Sequence, residues 1–193
     1  MSADFPSAPS PSGTPAATAP ASELVYADVP NRIIAYILDA ILVGIFTFIV
    51  GVILAGIGLT AVKITPEGTL AIDYVAAAVQ GILGLLISAG YFIYTWTRMR
   101  GTLGMRALGM QIGNAGDGAT MTTTQGVRRY VALSAPAILA QVFTGIPLIG
   151  AVISLAGLIW YVWLLYSTAQ SPTKQGWHDK FANTQVVKTA RAV

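Results

Sequence analysis

From Ala40 onward, uncharged apolar stretches alternate with polar segments that carry nearly all of the charge. Ala40 to Val62 runs 23 residues without a charged side chain, Tyr74 to Thr97 runs 24, and Tyr130 to Thr173 runs 44. A membrane-crossing helix needs about 20 apolar residues for a hydrocarbon core of roughly 30 Å, so the first two stretches predict one span each. As a single helix rising about 1.5 Å per residue, the third would be more than twice too long. It must turn, and Gly145-Ile146-Pro147, followed by Gly150, supplies the break, because proline removes a backbone donor and glycine relaxes the backbone. The pattern predicts helices over about 31–59, 74–97, 124–145 and 148–169, with a kink at Pro136. The expected fold is all-α, a polytopic membrane helical bundle of four transmembrane helices in a membrane domain at 25–188, followed by a short tail at 189–193.

The polar segments add smaller features. Residues 1–24 are rich in Ala, Pro and Ser, with Pro6, Pro9, Pro11, Pro15 and Pro20, and cannot bury enough apolar surface to offset ordering entropy; a disordered cytoplasmic tail is expected. They lack the basic start and unbroken apolar run of a signal peptide. Between the second and third helices, Gly109 to Ile112 and Ala119 to Met121 flank an Asp117-Gly118 turn signal and predict a small hairpin. Thr122 to Gln125 has capping-box spacing, so the third helix starts there.

Composition sharpens the class. Of 193 residues, 54% are hydrophobic and 10% charged, against roughly 25% charged in a soluble domain. The segment after the second helix holds Arg98, Arg100, Arg106, Arg128 and Arg129, and the C-terminal tail holds Lys174, Lys180, Lys188 and Arg191. Cytoplasmic loops are enriched in Lys and Arg. Four spans put both termini and ten of the 11 basic residues, Arg32 included, on the cytoplasmic side and leave Lys63 outside; three spans would put the basic tail outside. Trp96, Trp160, Trp163, Tyr166 and Trp177 fall at the same boundary, as an aromatic belt would. Anionic lipid headgroups are the expected partners of the arginines. Nucleic acid is not, because topology accounts for the basic loop and no aromatic stacking platform accompanies it. Zero cysteines and one histidine exclude a thiolate metal site and a Cys nucleophile and leave little for zinc; no cofactor and no enzymatic activity are expected.

Asp39 is the sharpest chemical feature. It follows Arg32 by seven residues, two helical turns or about 10 Å, with Tyr36 between them on nearly the same face. An ionised Asp at mid-membrane costs on the order of 2.5 to 3.5 kcal/mol, so Asp39 should face the bundle interior or water. Two readings stand: a proton or cation site, or a structural ion pair or interhelical hydrogen bond that fixes helix packing. Gly44, Gly51 and Gly58 form a separate stripe suited to close helix contact. The loose glycine pattern at Gly56 to Ala61 ends a membrane helix and is packing, not nucleotide binding. His178 and Asp179 lie just past the last helix, back at the face where Arg32 sits, so an Arg32 to Asp179 pair is geometrically open.

Three strings carry a family resemblance. Arg32-Ile33-Ile34-Ala35-Tyr36-Ile37-Leu38-Asp39 resembles the opening signature of the RDD family, named for one arginine and two aspartates. Thr102-Leu103-Gly104-Met105-Arg106-Ala107-Leu108-Gly109-Met110 resembles its central motif, and Gln175-Gly176-Trp177-His178-Asp179-Lys180 with Asn183 to Val187 its closing motif. Arg32, Asp39 and Asp179 match the name-giving positions, with Tyr36, Arg106 and His178 in support. Met105 replaces the usual lysine, and Asn183 stands where glycine is common. The resemblance implies a bacterial inner (cytoplasmic) membrane protein with suggested transport of ions or small ligands. Two functions are therefore weighed: cation or proton exchange, or small-ligand transport, using Asp39; and a non-transporting scaffold in which Arg32, Asp39 and Asp179 are structural. Alternating access generally uses two repeats around a central site, so transport by four unrepeated helices implies a homo-oligomer or a partner.

Overall fold

The computed structural model describes residues 25–143 and 145–189. The expected tail at 1–24 lies outside the described residues, as does all of 189–193 except Thr189. In chain order the elements are α1 (Val29–Gly56), β1 (Val62–Ile64), β2 (Leu70–Ile72), α2 (Tyr74–Arg98), α3 (Leu103–Ala107), β3 (Met110–Asn114), α4 (Thr123–Val142), α5 (Pro147–Gln170), α6 (Trp177–Phe181) and β4 (Thr184–Lys188).

Local chemistry sets the helix ends. Pro30 lies in the first turn of α1, where its missing N–H costs nothing. Asp73 caps α2 by accepting from the Ala76 N–H, and Thr122 and Gln125 form the capping box that opens α4. The break near Pro147 divides the long apolar stretch into α4 and α5, and Pro136 lies inside α4. Among the described residues three helices are long and apolar enough to cross a membrane: Val29–Gly56, Tyr74–Arg98 and Leu148–Gln170. Their outward faces present Phe48, Ile53, Leu86, Leu158 and Val162. The buried set instead includes Asp39, Arg129, His178 and Asp179. That inside-out distribution suits an apolar solvent on the flanks.

Neighbouring helices run antiparallel. Asp39 of α1 meets Tyr91 of α2, and Thr47 lies against Gly84. Along α2 and α4, Gly126 abuts Ile93 and Thr97 near one end while Gln141 donates to the Ala78 carbonyl near the other. Along α4 and α5, the Trp160 indole donates to the Ala132 carbonyl and Gly157 packs on Pro136. One end of the bundle therefore gathers the start of α1, the end of α2, the start of α4 and the end of α5. There α3, β3, α6 and β4 form a polar lid. The β1–β2 hairpin joins the other ends of α1 and α2.

Three expectations need correction. The hairpin within 109–121 does not form: β3 pairs antiparallel with β4, Met110 opposite Lys188 and Asn114 opposite Thr184, while Ala119 returns only one backbone bond, to Asn114. The apolar residues of β3 find a better-buried partner in β4, where Val186 is fully enclosed. Residues before α1 lie along the other side of β4, through the Tyr26 to Val187 bridge and the Ala27 to Val186 hydrogen bond. The glycine stripe makes no close contact: a Cβ on Gly44, Gly51 or Gly58 would meet open space, because α1 and α2 touch through other residues. Trp96 is not a lipid-facing belt residue but is buried beneath Arg129. Trp160, Trp163 and Trp177 do cluster, with Phe181 stacked on Trp177.

Candidate functional site: a buried charge cluster over an interhelical cavity

At the centre of the lid, Asp179 is fully buried and accepts from two arginines. Arg32 Nη1 donates to Oδ2 at 2.9 Å, and Arg129 Nη1 donates to Oδ1. The Gly176 N–H adds a third bond, 3.0 Å from Oδ2. A carboxylate out of water needs this many donors. Arg32 is further held by the carbonyls of Ala27 and Val186, through Nε and Nη2. Arg129 also donates to Thr184 Oγ1, and its guanidinium lies 5.2 Å from the centre of the Trp96 ring, within cation–π range. One carboxylate thus ties together the start of α1, the first turns of α4, and α6. His178 sits beside it, buried; desolvation, reinforced by Arg129 and Arg32, holds its imidazole well below the ordinary histidine value, so it is neutral.

Asp39 is a separate site. It does not bond Arg32; its Oδ1 accepts from the Tyr91 hydroxyl at 2.6 Å and from the Gly104 N–H at 2.9 Å. Tyr91 accepts in turn from the Leu103 N–H, so the first turn of α3 is pinned onto α1 and α2. Gly104 is required there, because a Cβ would run into the Ala35 carbonyl. Asp39 Oδ2 receives no hydrogen bond from the described residues.

Both sites border one cavity of about 260 Å³ enclosed by α1, α2, α4 and α5, with Met105 and His178 contributed by the lid. Its walls are mainly apolar, through Ile33, Phe92, Leu133, Leu164 and Leu165, with Ser88, Ser134, Tyr161 and Thr168 interspersed. Arg32, Tyr36, Asp39 and His178 all line it, and Tyr36 stacks on Phe92. Arg106 is not brought in: its side chain is exposed on α3, outside the cavity, and makes no ion pair among the described residues. The sequence reading assigned Arg129 only to the headgroup level and passed over Tyr91. Arg129 was detectable from helical spacing, because Gly126, Arg129, Tyr130 and Leu133 recur at the interval of a packed face, whereas Arg128 falls off it. Nothing local to Tyr91 marks it as the partner of Asp39.

Apolar helices with lipid-like exposure on their flanks, capped at one end by a lid that is closed with buried ion pairs, define a multi-pass membrane protein. The chain belongs to the RDD family, whose model matches residues 26–183. Comparison with the curated proteins, and with the solved structures, gives no match.

Proposed function

We propose that this is a transport-related protein of the bacterial inner membrane, in which the interhelical cavity receives a cation or proton at Asp39. The observation that carries the reading is the half-satisfied carboxylate: Oδ1 is held by Tyr91 and Gly104, Oδ2 receives no hydrogen bond from the described residues, and Asp39, only 2% exposed, lines the cavity. A carboxylate held rigidly at one oxygen can exchange a proton or ion at the other without losing its place. The scaffold reading draws its own support from Arg32 and Asp179, whose donors and acceptors are spent on Arg129, the backbone and each other. We therefore assign those two a structural role and Asp39 the exchangeable one.

The reading includes four spans with both termini cytoplasmic. Two arguments support α4 as the fourth. It lies beside α2 from Gly126 to Gln141, nearly the length of a helix that is itself long enough to cross. And β4, which follows α5, hydrogen-bonds the residues that precede α1, which supports a chain that returns to its starting side after an even number of crossings. Positive-inside bias assigns that side to the cytoplasm, with exposed Arg98, Arg106 and Arg128 against anionic headgroups. A single copy has too few helices to rock around a central site, so a homo-oligomer is part of the reading.

The test is pH-gradient-driven cation uptake into liposomes by wild type and by Asp39→Asn at matched folded yield. Uptake in wild type and its loss in the variant are expected, because Asn retains the Oδ1 acceptor but not the titratable charge. Wild-type uptake equal to that of empty liposomes, across several cations and in the native oligomer, overturns transport and leaves the scaffold.

A further inference from the structure

The cavity has a second chemical end that cation or proton exchange does not use. Arg32 and Arg129 bring two positive charges to one carboxylate, and the neutral His178 adds none, so the cluster holds an excess positive charge in a largely desolvated place. Arg129 is only 3% exposed and lines the cavity. Its Nη1 is used by Asp179 and Thr184, but its Nε–H is buried with no partner and its Nη2 makes no hydrogen bond among the described residues. Nε and Nη2 form the edge of a guanidinium that grips a carboxylate or phosphate with two parallel bonds. His178, which also lines the cavity, has a buried Nδ1 without a partner, on its Gly176 side.

The remaining walls are apolar and the mouth is lateral. The cavity-lining residues that are also exposed on the bundle flank, Ile33, Tyr36 and Leu165, belong to α1 and α5. Both are among the helices long and apolar enough to cross a membrane, so the mouth between them faces hydrocarbon. Asp39 stands two turns deeper along α1 than Arg32, about 10 Å.

We infer that the cavity binds an anionic amphiphile, a lipid acid that enters sideways between α1 and α5, sets its carboxylate or phosphate against Arg129, and leaves its chain along the apolar wall. The proposal rests on the reading of this cavity as a ligand chamber, and adds the ligand's class.

The experiment is native mass spectrometry of the full chain in an uncharged detergent, with oleic acid, oleyl alcohol and oleylamine supplied in equal amounts. Oleic acid should be retained as one molecule per chain, favoured over the alcohol by about tenfold, the scale of a charge-assisted hydrogen bond. Equal retention of the three, or preference for the amine, overturns the proposal. Arg129→Lys keeps a cation for Asp179 but removes the two-pronged edge and should lose that preference. If that variant fails to fold, Leu133→Trp, which fills the cavity, should abolish retention; unchanged retention overturns the site. Excess acetate should not displace oleic acid, and displacement would overturn the membrane origin of the ligand. Cation uptake without lipid-acid retention sinks this inference alone, whereas retention without uptake sinks the exchange reading alone.

Discussion

Asp179 stands against two guanidiniums, so its replacement has a larger effect than any one contact implies. Asp179→Asn leaves Arg32 and Arg129 facing each other without a counter-charge; removing one partner of a buried pair costs roughly 3 to 5 kcal/mol. A large drop in thermal midpoint in detergent is expected. In a double-mutant cycle, Arg32→Ala and Asp179→Ala should be strongly non-additive, and strict additivity would refute the contact. His178 gives a pH signature with a definite sign. Its value is depressed in the folded protein, so the unfolded chain binds the extra proton as pH falls below about 6.5. The contribution is complete above that value and declines toward the lower folded value. His178→Gln should therefore flatten the fall in thermal midpoint between about pH 7.5 and about pH 5; parallel curves for the two proteins would contradict it. At this scale the sequence was readable where spacing and topology put charges on one face, as for Arg32 and Asp179. It was silent where a partner comes from a different helix, as for Tyr91 and Asp39, because hydropathy encodes a residue's environment and not its neighbour.

The long elements and the short ones differ in how they are specified. α1, α2 and α5 follow from uninterrupted apolar runs, and the turn before α5 from Pro147. β3 and β4 are five residues each and lie 70 positions apart in the chain, since Asn114 pairs with Thr184; no local pattern announces such a pairing, and the Asp117-Gly118 turn signal suggested a nearer partner. α3 is only five residues long and owes its place to Asp39 and to the absence of a side chain at Gly104. Gly104→Ala should cost about 1 to 3 kcal/mol as overpacking against α1. Limited proteolysis within 99–122 should become faster in that variant. An unchanged digestion pattern and thermal midpoint would mean that α3 is not seated on α1 in solution.

For the whole molecule, the question of span number reduces to α4. Among the described residues, length and apolarity give three helices that could cross a membrane; the proposal of a fourth crossing by α4 draws support from the pairing of β4 with the residues before α1. Because the chain has no cysteine, single cysteines can be introduced and labelled in intact cells with an impermeant thiol reagent. A cysteine near Pro66 should label, and cysteines near Asp117 and Lys188 should not. Labelling at Lys188 but not at Asp117 would mean three crossings.

The clasp between the two ends also fixes an order of events during synthesis. Arg32 emerges from the ribosome with the first helix, and Asp179 follows 147 residues later, roughly seven to thirty seconds at about 5 to 20 residues per second. Throughout that interval α1 carries an arginine without its carboxylate, and from the time β3 is made it lacks its partner strand. Completion of α6 and β4 neutralises the one and covers the other in a single step. A chain interrupted before Asp179 therefore differs from a finished one by an unpaired arginine and an unpaired strand.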